Sequence, residues 1–202
     1  MLNYAVLFLI FLMTVTVHEV SHGAVAYVCG DPTAHRLGRL TLNPFRHIDI
    51  FWTILFPILL LFATGGRFSL GMAKPVPVNF SNLRHLKRDT ILVAVSGPFS
   101  NFIFAWLLAS LFHTTGYPVF LYGVYFNLGL ACFNLIPVPP LDGSRVLTAL
   151  LPNSLARILY AVERFGFLII LLLYISGILL KLITPGINFF ASLLNLPSLN
   201  MV

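Results

Sequence analysis

Two histidines and a glutamate stand together near the amino terminus, in the stretch HEVSH at residues 18–22. On a helix, His18 and His22 lie one turn apart on the same face, and Glu19 lies beside the first of them. Two imidazoles at this spacing can bind a zinc ion, and the carboxylate can accept a proton from an attacking water molecule. The motif therefore predicts a hydrolytic zinc site in which Glu19 is the general base.

The composition predicts a membrane as the environment of this motif. Of the 202 residues, 58% are hydrophobic and only 9% are charged, whereas soluble domains carry about 25% charged residues. The net charge of +6 comes from basic residues in short loops between apolar runs, which is typical of membrane orientation and does not indicate nucleic-acid binding. Ionisable side chains inside an apolar span are costly, so a functional role is the default interpretation of the motif.

Length and cysteine content narrow the interpretation further. The length suits one membrane-embedded domain over residues 1–202, with a core of about residues 14–145 and no appended soluble domain. Cys29 and Cys132 are the only cysteines and lack CxxC spacing. Neither a disulfide framework nor a thiolate metal site is therefore expected.

The apolar segments predict an all-α integral membrane protein, a polytopic helical bundle with about four full spans. Four of five segments have the roughly 20 residues that a helix needs to cross a bilayer. The second has 14 residues, includes Pro57, and is expected to enter the membrane and return. The glycine- and proline-rich residues 65–82 predict a loop or short strand. The five segments are residues 2–29, 51–64, 90–113, 118–138 and 155–182.

A catalytic zinc site needs a third protein ligand, and most carboxylates of the chain are poor candidates. Val25 and Val28 stand where a metzincin would have glycine and histidine. Glu163 neighbours Arg164, where an ion pair is the simpler role. The remaining loop aspartates lie near turn residues or basic neighbours, which is typical of helix caps; they are Asp31, Asp49 and Asp89.

Asp142 differs because it ends the stretch FNLIPVPPLDG. The three prolines in this stretch cannot continue an α-helix, and non-helical backbone at membrane depth persists only where protein buries it or it lines a wet cavity. The fourth segment is therefore expected to unwind, so that Asp142 turns toward the histidines as the third zinc ligand. The alternative is an ordinary helix–loop–helix turn with Asp142 and Gly143 as turn residues.

Taken together, HEVSH and the later Asn134-x-x-Pro-x-Pro-x-x-Asp142-Gly143 pattern resemble the site-2 protease family of intramembrane zinc metalloproteases, in its compact branch without a PDZ domain. The likeness extends through NPFRHID, GMAKPVPVN and SGPFSN, at residues 43–49, 71–79 and 96–101. The resemblance implies that Asn134 contacts substrate backbone. It also implies one bound zinc ion, with Glu19 catalytic and the metal held by His18, His22 and Asp142.

Two further residues are candidates for substrate contact. Lys74 lies in a loop that could hold an extended substrate by strand addition, although a lipid-facing lysine is the equal alternative. Asn101 could contact substrate or bond across to a neighbouring helix.

The resemblance implies cleavage of peptide bonds within or near transmembrane segments of membrane-protein substrates. It places the protein in the cell membrane, with the bilayer and the substrate as partners. The basic loops, which the positive-inside rule assigns to the cytoplasmic face, predict that the site opens toward the cytoplasm. Two other functions stay open. An inactive scaffold of the same fold would have no need of Glu19, and a zinc transporter would need several ligand stations where the sequence has one cluster.

Overall fold

The computed structural model describes residues 4–63, 65 and 73–199, and within them the regular structure is entirely helical, so the all-α prediction is confirmed there. Three short pieces are not α-helical: the 3₁₀ turns Pro44–His47 and Phe80–Asn82 and the π-helical turn Ile50–Leu55. The α-helices are α1 (Tyr4–Val28), α2 (Thr33–Arg36), α3 (Phe56–Ala63), α4 (Leu86–Thr115), α5 (Pro118–Asn134), α6 (Asp142–Leu150), α7 (Asn153–Glu163), α8 (Gly166–Ile175) and α9 (Ile178–Leu193).

Within the described residues, α1 and α4 are the two helices long and apolar enough to cross a membrane. The pair α7 and α8 gives a third candidate, but its axis bends by 73° at the break. The predicted four complete spans are therefore not confirmed. The proline-rich stretch stops α5 at 17 residues, the lower limit for a span. The fifth predicted segment is broken at Glu163 and Arg164, between α7 and α8. Charged side chains at these positions favour the membrane surface over the bilayer centre.

The short apolar segment after Asp49 begins with a wide turn and continues as α3. One carboxylate oxygen of Asp49 accepts hydrogen bonds from the N–H groups of Phe51 (3.0 Å) and Trp52 (2.9 Å) and so caps the π-helical turn. Pro57 is the second residue of α3, where a missing N–H leaves no helical bond unmade. Residues 50–63 thus form one short apolar unit, and its return to the same membrane face stays a prediction.

Helix α4 packs against α1, α5 and α6 and so holds the bundle together. Small residues permit this close packing: a Cβ on Gly123 of α5 would lie 2.8 Å from Leu108 Cδ1 of α4. The buried residues between α4, α5, α9 and the following turn are Ala105, Leu108, Ala109, Val124, Leu128, Ile187, Ala191 and Leu196.

Residues 73–79 run in extended form along α1 without pairing as a strand. Val76 is buried against Gly23 of α1, where a Cβ would lie 2.6 Å from Val76 Cγ1. The segment is tied at its two ends: Lys74 N–H donates to the His47 carbonyl (2.8 Å) and Asn79 N–H donates to Asp31 Oδ2 (2.7 Å). Of the predicted loop or short strand, residues 73–79 therefore form a loop that leads into the turn Phe80–Asn82, because loop and side-chain acceptors take these donors. Residues 66–72 of that prediction lie outside the described part of the chain.

Asp31 is the main anchor of this extended segment. Its fully buried carboxylate accepts hydrogen bonds from Thr33, from Asn79 N–H and from Asn82 Nδ2 (2.8 Å). Burial alone favours the neutral acid, but these donors outweigh it and hold the pKa of Asp31 below its ordinary value. The ionised carboxylate thus links the end of α1 to the segment that covers it.

Replacing this anchor should destabilise the protein in a pH-dependent manner. We expect Asp31→Asn to lower the free energy of unfolding by about 1–3 kcal/mol at neutral pH, since hydrogen bonds to a charged group are lost. The folded pKa lies below the unfolded value, so this stabilisation is complete above about pH 5 and is lost as the pH falls through the folded pKa. Thermal unfolding of both proteins in detergent measures the difference, which should narrow below about pH 4. A difference that stays constant with pH would contradict the role of the charge.

Candidate metal centre

Three predicted ligands from two distant parts of the chain meet at one point. His18 and His22 lie on the buried face of α1, and their Nε2 atoms are 3.0 Å apart. Each Nε2 atom lies 3.2 Å from Oδ2 of Asp142, the first residue of α6. Among the described residues this is the one group of three histidine, cysteine or carboxylate side chains close enough to share a metal ion.

Helix α4 sets the orientation of both imidazole rings. His22 Nδ1 lies 2.7 Å from the carbonyl oxygen of Val93, and His18 Nδ1 lies 2.7 Å from Asn101 Oδ1. A carbonyl oxygen can only accept, so each Nδ1 carries a proton and each Nε2 presents a lone pair. Such bonds fix the rotation of a metal-binding imidazole and increase its basicity.

The rings also require a glycine on α4. A Cβ on Gly97 would lie 2.4 Å from His22 Nε2 and 2.7 Å from His18 Cε1, far inside van der Waals contact. The absence of a side chain at Gly97 therefore lets α4 approach α1 closely enough to bond both rings. The sequence did not indicate that the imidazoles fill the space at this glycine.

The stretch that the prolines interrupt places the side chain of Asp142 beside the two histidines, as the sequence predicted. Helix α5 ends at Asn134, residues 135–141 form successive turns, and α6 begins at Asp142. Gly143 packs against the carbonyl groups of this stretch, since a Cβ there would lie 2.3 Å from Leu135 O. Asp142 Oδ2 is buried, and no hydrogen-bond donor among the described residues satisfies it.

The other acidic side chains are engaged elsewhere. Asp49 caps the π-helical turn, Asp31 anchors the extended segment, and Asp89 accepts from His85 N–H (2.8 Å) and Arg88 Nε (2.9 Å). Glu163 lies 3.4 Å from an Arg145 nitrogen. Asp142 is therefore the carboxylate available to the histidine pair.

The donor set fits a zinc ion. Two imidazole lone pairs and a carboxylate oxygen converge within 3.2 Å, and they would repel one another without a cation between them. Nitrogen and oxygen donors in a set of three are typical of catalytic zinc sites, which keep a fourth position for water or substrate. The free, largely buried Cys29 and Cys132 lie outside the cluster.

Glu19 lies beside the cluster and not within it. Its Oε2 accepts a hydrogen bond of 2.8 Å from the N–H group of Val76 in the extended segment. The carboxylate lines a cavity of about 270 Å³ together with both histidines, Asn134 and Arg145. The contact with Val76 was missed by sequence reasoning, because a backbone donor leaves no signal in residue type.

The three predicted substrate-contact residues have different surroundings. Asn134 lines the cavity beside Glu19, although its Nδ2 also donates to Leu130 O (3.0 Å). Lys74 is exposed and lines a second, mostly apolar cavity of about 530 Å³. Asn101 is fully buried behind His18. Its position does not support the predicted substrate contact, because other protein groups use its amide.

Comparisons with known proteins agree with this site. Residues 113–176 match the family described as Peptidase family M50. The chain is 34% identical over 202 aligned positions to "Putative zinc metalloprotease YwhC" of Bacillus subtilis, covering 93% of this chain and 87% of the relative. It is 30% identical over 184 positions to "Putative zinc metalloprotease Rip2" of Mycolicibacterium smegmatis. That alignment covers 88% of this chain and 66% of the relative. No solved structure matches the chain significantly.

A more distant similarity extends to an archaeal protein. "Zinc metalloprotease MJ0392" of Methanocaldococcus jannaschii is 29% identical over 156 positions, which cover 75% of this chain and 36% of that protein. The chain belongs to peptidase family M50, the site-2 proteases, a family of membrane zinc metalloproteases. The resemblance predicted from HEVSH and the Asn134–Gly143 pattern is confirmed at the level of the family.

Filling the space at Gly97 should weaken the metal centre. We expect Gly97→Ala to lower zinc affinity at least about tenfold, because the new Cβ displaces the imidazoles from Asp142. Gly129→Ala is the matched control, since a Cβ on that α5 glycine would meet nothing within 4 Å. Zinc retained after dialysis against a weak chelator measures the effect. Equal retention by both variants would show that the close approach is not needed.

Proposed function

We propose that this protein is an intramembrane metalloprotease that hydrolyses peptide bonds within or near transmembrane segments of other membrane proteins. The observation that carries the proposal is the convergence of His18, His22 and Asp142 on one point beside Glu19. The family of the chain supports the chemistry, and the apolar helices α1 and α4 that carry the site support the location.

One zinc ion per chain is the proposed cofactor, with His18, His22 and Asp142 as its ligands. When bound, zinc supplies a Lewis acid that polarises a carbonyl group and lowers the pKa of water. The protein contributes the orientation of the ligands through α4 and the exclusion of bulk water by burial, which strengthens local electrostatic interactions.

Glu19 is the proposed general base and general acid. A carboxylate oxygen accepts the proton of the attacking water, and the same carboxylic acid then donates it to the leaving amine nitrogen. The hydrogen bond from Val76 N–H holds Glu19 Oε2 at the cavity wall, so that the carboxylate does not rotate toward the metal ligands. This separation of roles is the arrangement that the spacing of HExxH implies.

The substrate is proposed to be an apolar peptide in extended form. The larger cavity borders His18 and Glu19 and is lined by aromatic side chains that include Phe11, Trp52 and Phe167. A helical substrate shields its carbonyl groups in internal hydrogen bonds, so the segment must unwind before cleavage. Asn134, which borders both cavities, and Lys74 are proposed to contact the unwound backbone.

The alternatives have less support. An inactive scaffold of this fold has no use for a carboxylate held beside the three ligands. A transporter needs several metal stations along a path, and one candidate cluster exists in the described residues.

Separating the base from the ligands tests the proposed function. We expect Glu19→Gln to abolish cleavage of single-span membrane peptides, because the amide cannot accept the proton, while about one zinc per chain is retained. His22→Ala should lose zinc as well as activity. Peptide cleavage and metal content are measured on the same detergent-solubilised samples, with chelator-treated wild type as the control. Equal zinc loss in both variants, or cleavage by Glu19→Gln, would contradict the assignment.

We also propose that the site opens toward the cytoplasmic side of the cell membrane and that residues 51–64 enter the bilayer and return. This topology places nearly all basic residues on the cytoplasmic face, as the positive-inside rule favours, with Lys181 near the outer face. The residues proposed to be cytoplasmic are Arg36, Arg39, Arg46, Arg67, Lys74, Arg84, Lys87, Arg88, Arg145 and Arg157, of which Arg67 lies outside the described part of the chain.

Thiol labelling tests this topology. Single cysteines replace Arg36 or Arg84, both exposed, in a background without Cys29 and Cys132. We expect both to resist a membrane-impermeant thiol reagent in intact cells and to react after the membrane is opened, because the two basic loops share one side. Labelling of one position alone in intact cells would mean that residues 51–64 cross the membrane.

A further inference from the structure

A buried pair of amides lies behind the candidate metal centre. Asn101 of α4 and Asn127 of α5 are both fully buried, and Asn101 Nδ2 donates to Asn127 Oδ1 at 2.8 Å. Asn101 Oδ1 in turn lies 2.7 Å from His18 Nδ1. The hydrogen bonds thus run from α5 through α4 to a ring of α1. Asn127 belongs to none of the motifs that indicated the metal site.

Main-chain carbonyl groups determine which way each amide faces. Asn127 Nδ2 donates to Gly123 O (2.8 Å), so its oxygen must face Asn101. Asn101 then presents its nitrogen to Asn127 and also to Thr14 O at 3.3 Å. Its oxygen is left for His18. An amide oxygen can only accept, so His18 carries its proton on Nδ1 and keeps a lone pair on Nε2.

The position of this network makes a purely space-filling role costly. Polar side chains inside membrane-spanning helices carry a large desolvation penalty unless they are bonded, and leucine would fill the same space more cheaply. Both buried amides have hydrogen-bond partners for the nitrogen and for the oxygen. The second bond of Asn127 Nδ2 is donated to Thr14 Oγ1 at 2.9 Å. The network therefore specifies one orientation of His18, where an apolar contact would allow either nitrogen to carry the proton.

We propose that Asn127 is a positioning residue of the metal centre, acting through Asn101 to fix the tautomer of His18. The proposal rests on the proposed zinc site and adds a residue two hydrogen bonds away from the ligand His18. Asn127 itself touches neither substrate nor metal ligand. Its role is to keep the oxygen of Asn101 toward the ring, so that the His18 lone pair faces His22 and Asp142.

The test compares two substitutions of Asn127 with one control. Asn127→Leu removes the acceptor that orients Asn101. Asn127→Asp, buried as the neutral acid, keeps a carbonyl oxygen facing Asn101 and an O–H that donates to Gly123 O in place of Nδ2. Asn188→Leu is the matched control. Asn188 of α9 also makes two hydrogen bonds, to the N–H and carbonyl groups of Leu199, without any link to His18.

Two readouts are used on purified protein in detergent: zinc affinity by chelator competition, and the visible spectrum of protein loaded with cobalt(II). We expect Asn127→Leu to bind zinc about 10- to 100-fold more weakly and to alter the cobalt spectrum, as loss of an outer contact to a ligand does. Asn127→Asp should stay within about threefold of wild type. Asn188→Leu should keep wild-type affinity and spectrum, even if its Tm falls.

Wild-type zinc affinity and spectrum in Asn127→Leu would overturn the proposal. Equal zinc loss in Asn127→Leu and Asn188→Leu would also overturn it, since general loosening would then account for the effect. If leucine prevents folding, Asn127→Ala takes its place in the same comparison with Asn127→Asp. Failure of wild-type protein to bind zinc would instead reject the proposed metal site, so the two failures are distinguishable.

Discussion

The site depends on two hydrogen bonds that α4 accepts from the imidazoles of α1. The carbonyl oxygen of Val93 and the amide oxygen of Asn101 each take an Nδ1 proton, which leaves both Nε2 lone pairs facing Asp142. These bonds require α4 to lie against the rings, and Gly97 provides the room. The packing of α4 against α1 therefore determines the orientation of the ligands. A side chain at position 97 would separate the two helices and break the hydrogen bonds that orient the rings.

The third ligand depends on a different constraint, the breakage of a helix inside an apolar region. The proline-rich residues 135–141 end α5 early and return the chain so that Asp142 starts α6 beside the histidines. Two glycines let this irregular backbone pack closely: Gly143 fits against Leu135 O, and Gly166 of α8 fits against Pro139 O, where a Cβ would lie only 2.4 Å away. The two glycines thus cover the carbonyl groups of Leu135 and Pro139 in this irregular stretch, while the residues Leu135, Pro137 and Pro140 are exposed.

The sequence predicted the parts of the site that residue type and spacing define. Histidines four residues apart on one apolar helix, and a carboxylate after a proline break, are too costly in a membrane to serve packing alone. The sequence could not predict contacts that depend on the backbone or on packing. The hydrogen bond from Val76 N–H to Glu19 involves the main chain, so no residue type indicates it. Asn127 is a single polar residue in an apolar run, and its bond to Asn101 depends on how the helices pack. Of the two roles predicted for Asn101, the structure shows the hydrogen bonds across to neighbouring helices, to His18 and Asn127. The four predicted spans are not confirmed, because apolar length alone does not reveal the bend between α7 and α8.

Zinc-edge X-ray absorption of the purified, zinc-loaded protein tests the central claim most directly, because it identifies the atoms around the metal. The account predicts one zinc per chain with two imidazole nitrogens at about 2.0–2.1 Å, a carboxylate oxygen at a similar distance and no sulfur neighbour. Asp142→Ala should bind zinc at least about tenfold more weakly, while both imidazoles remain in the spectrum of the loaded variant. A spectrum with sulfur or with a single imidazole, or wild-type zinc affinity in Asp142→Ala, would contradict the assignment of the three ligands.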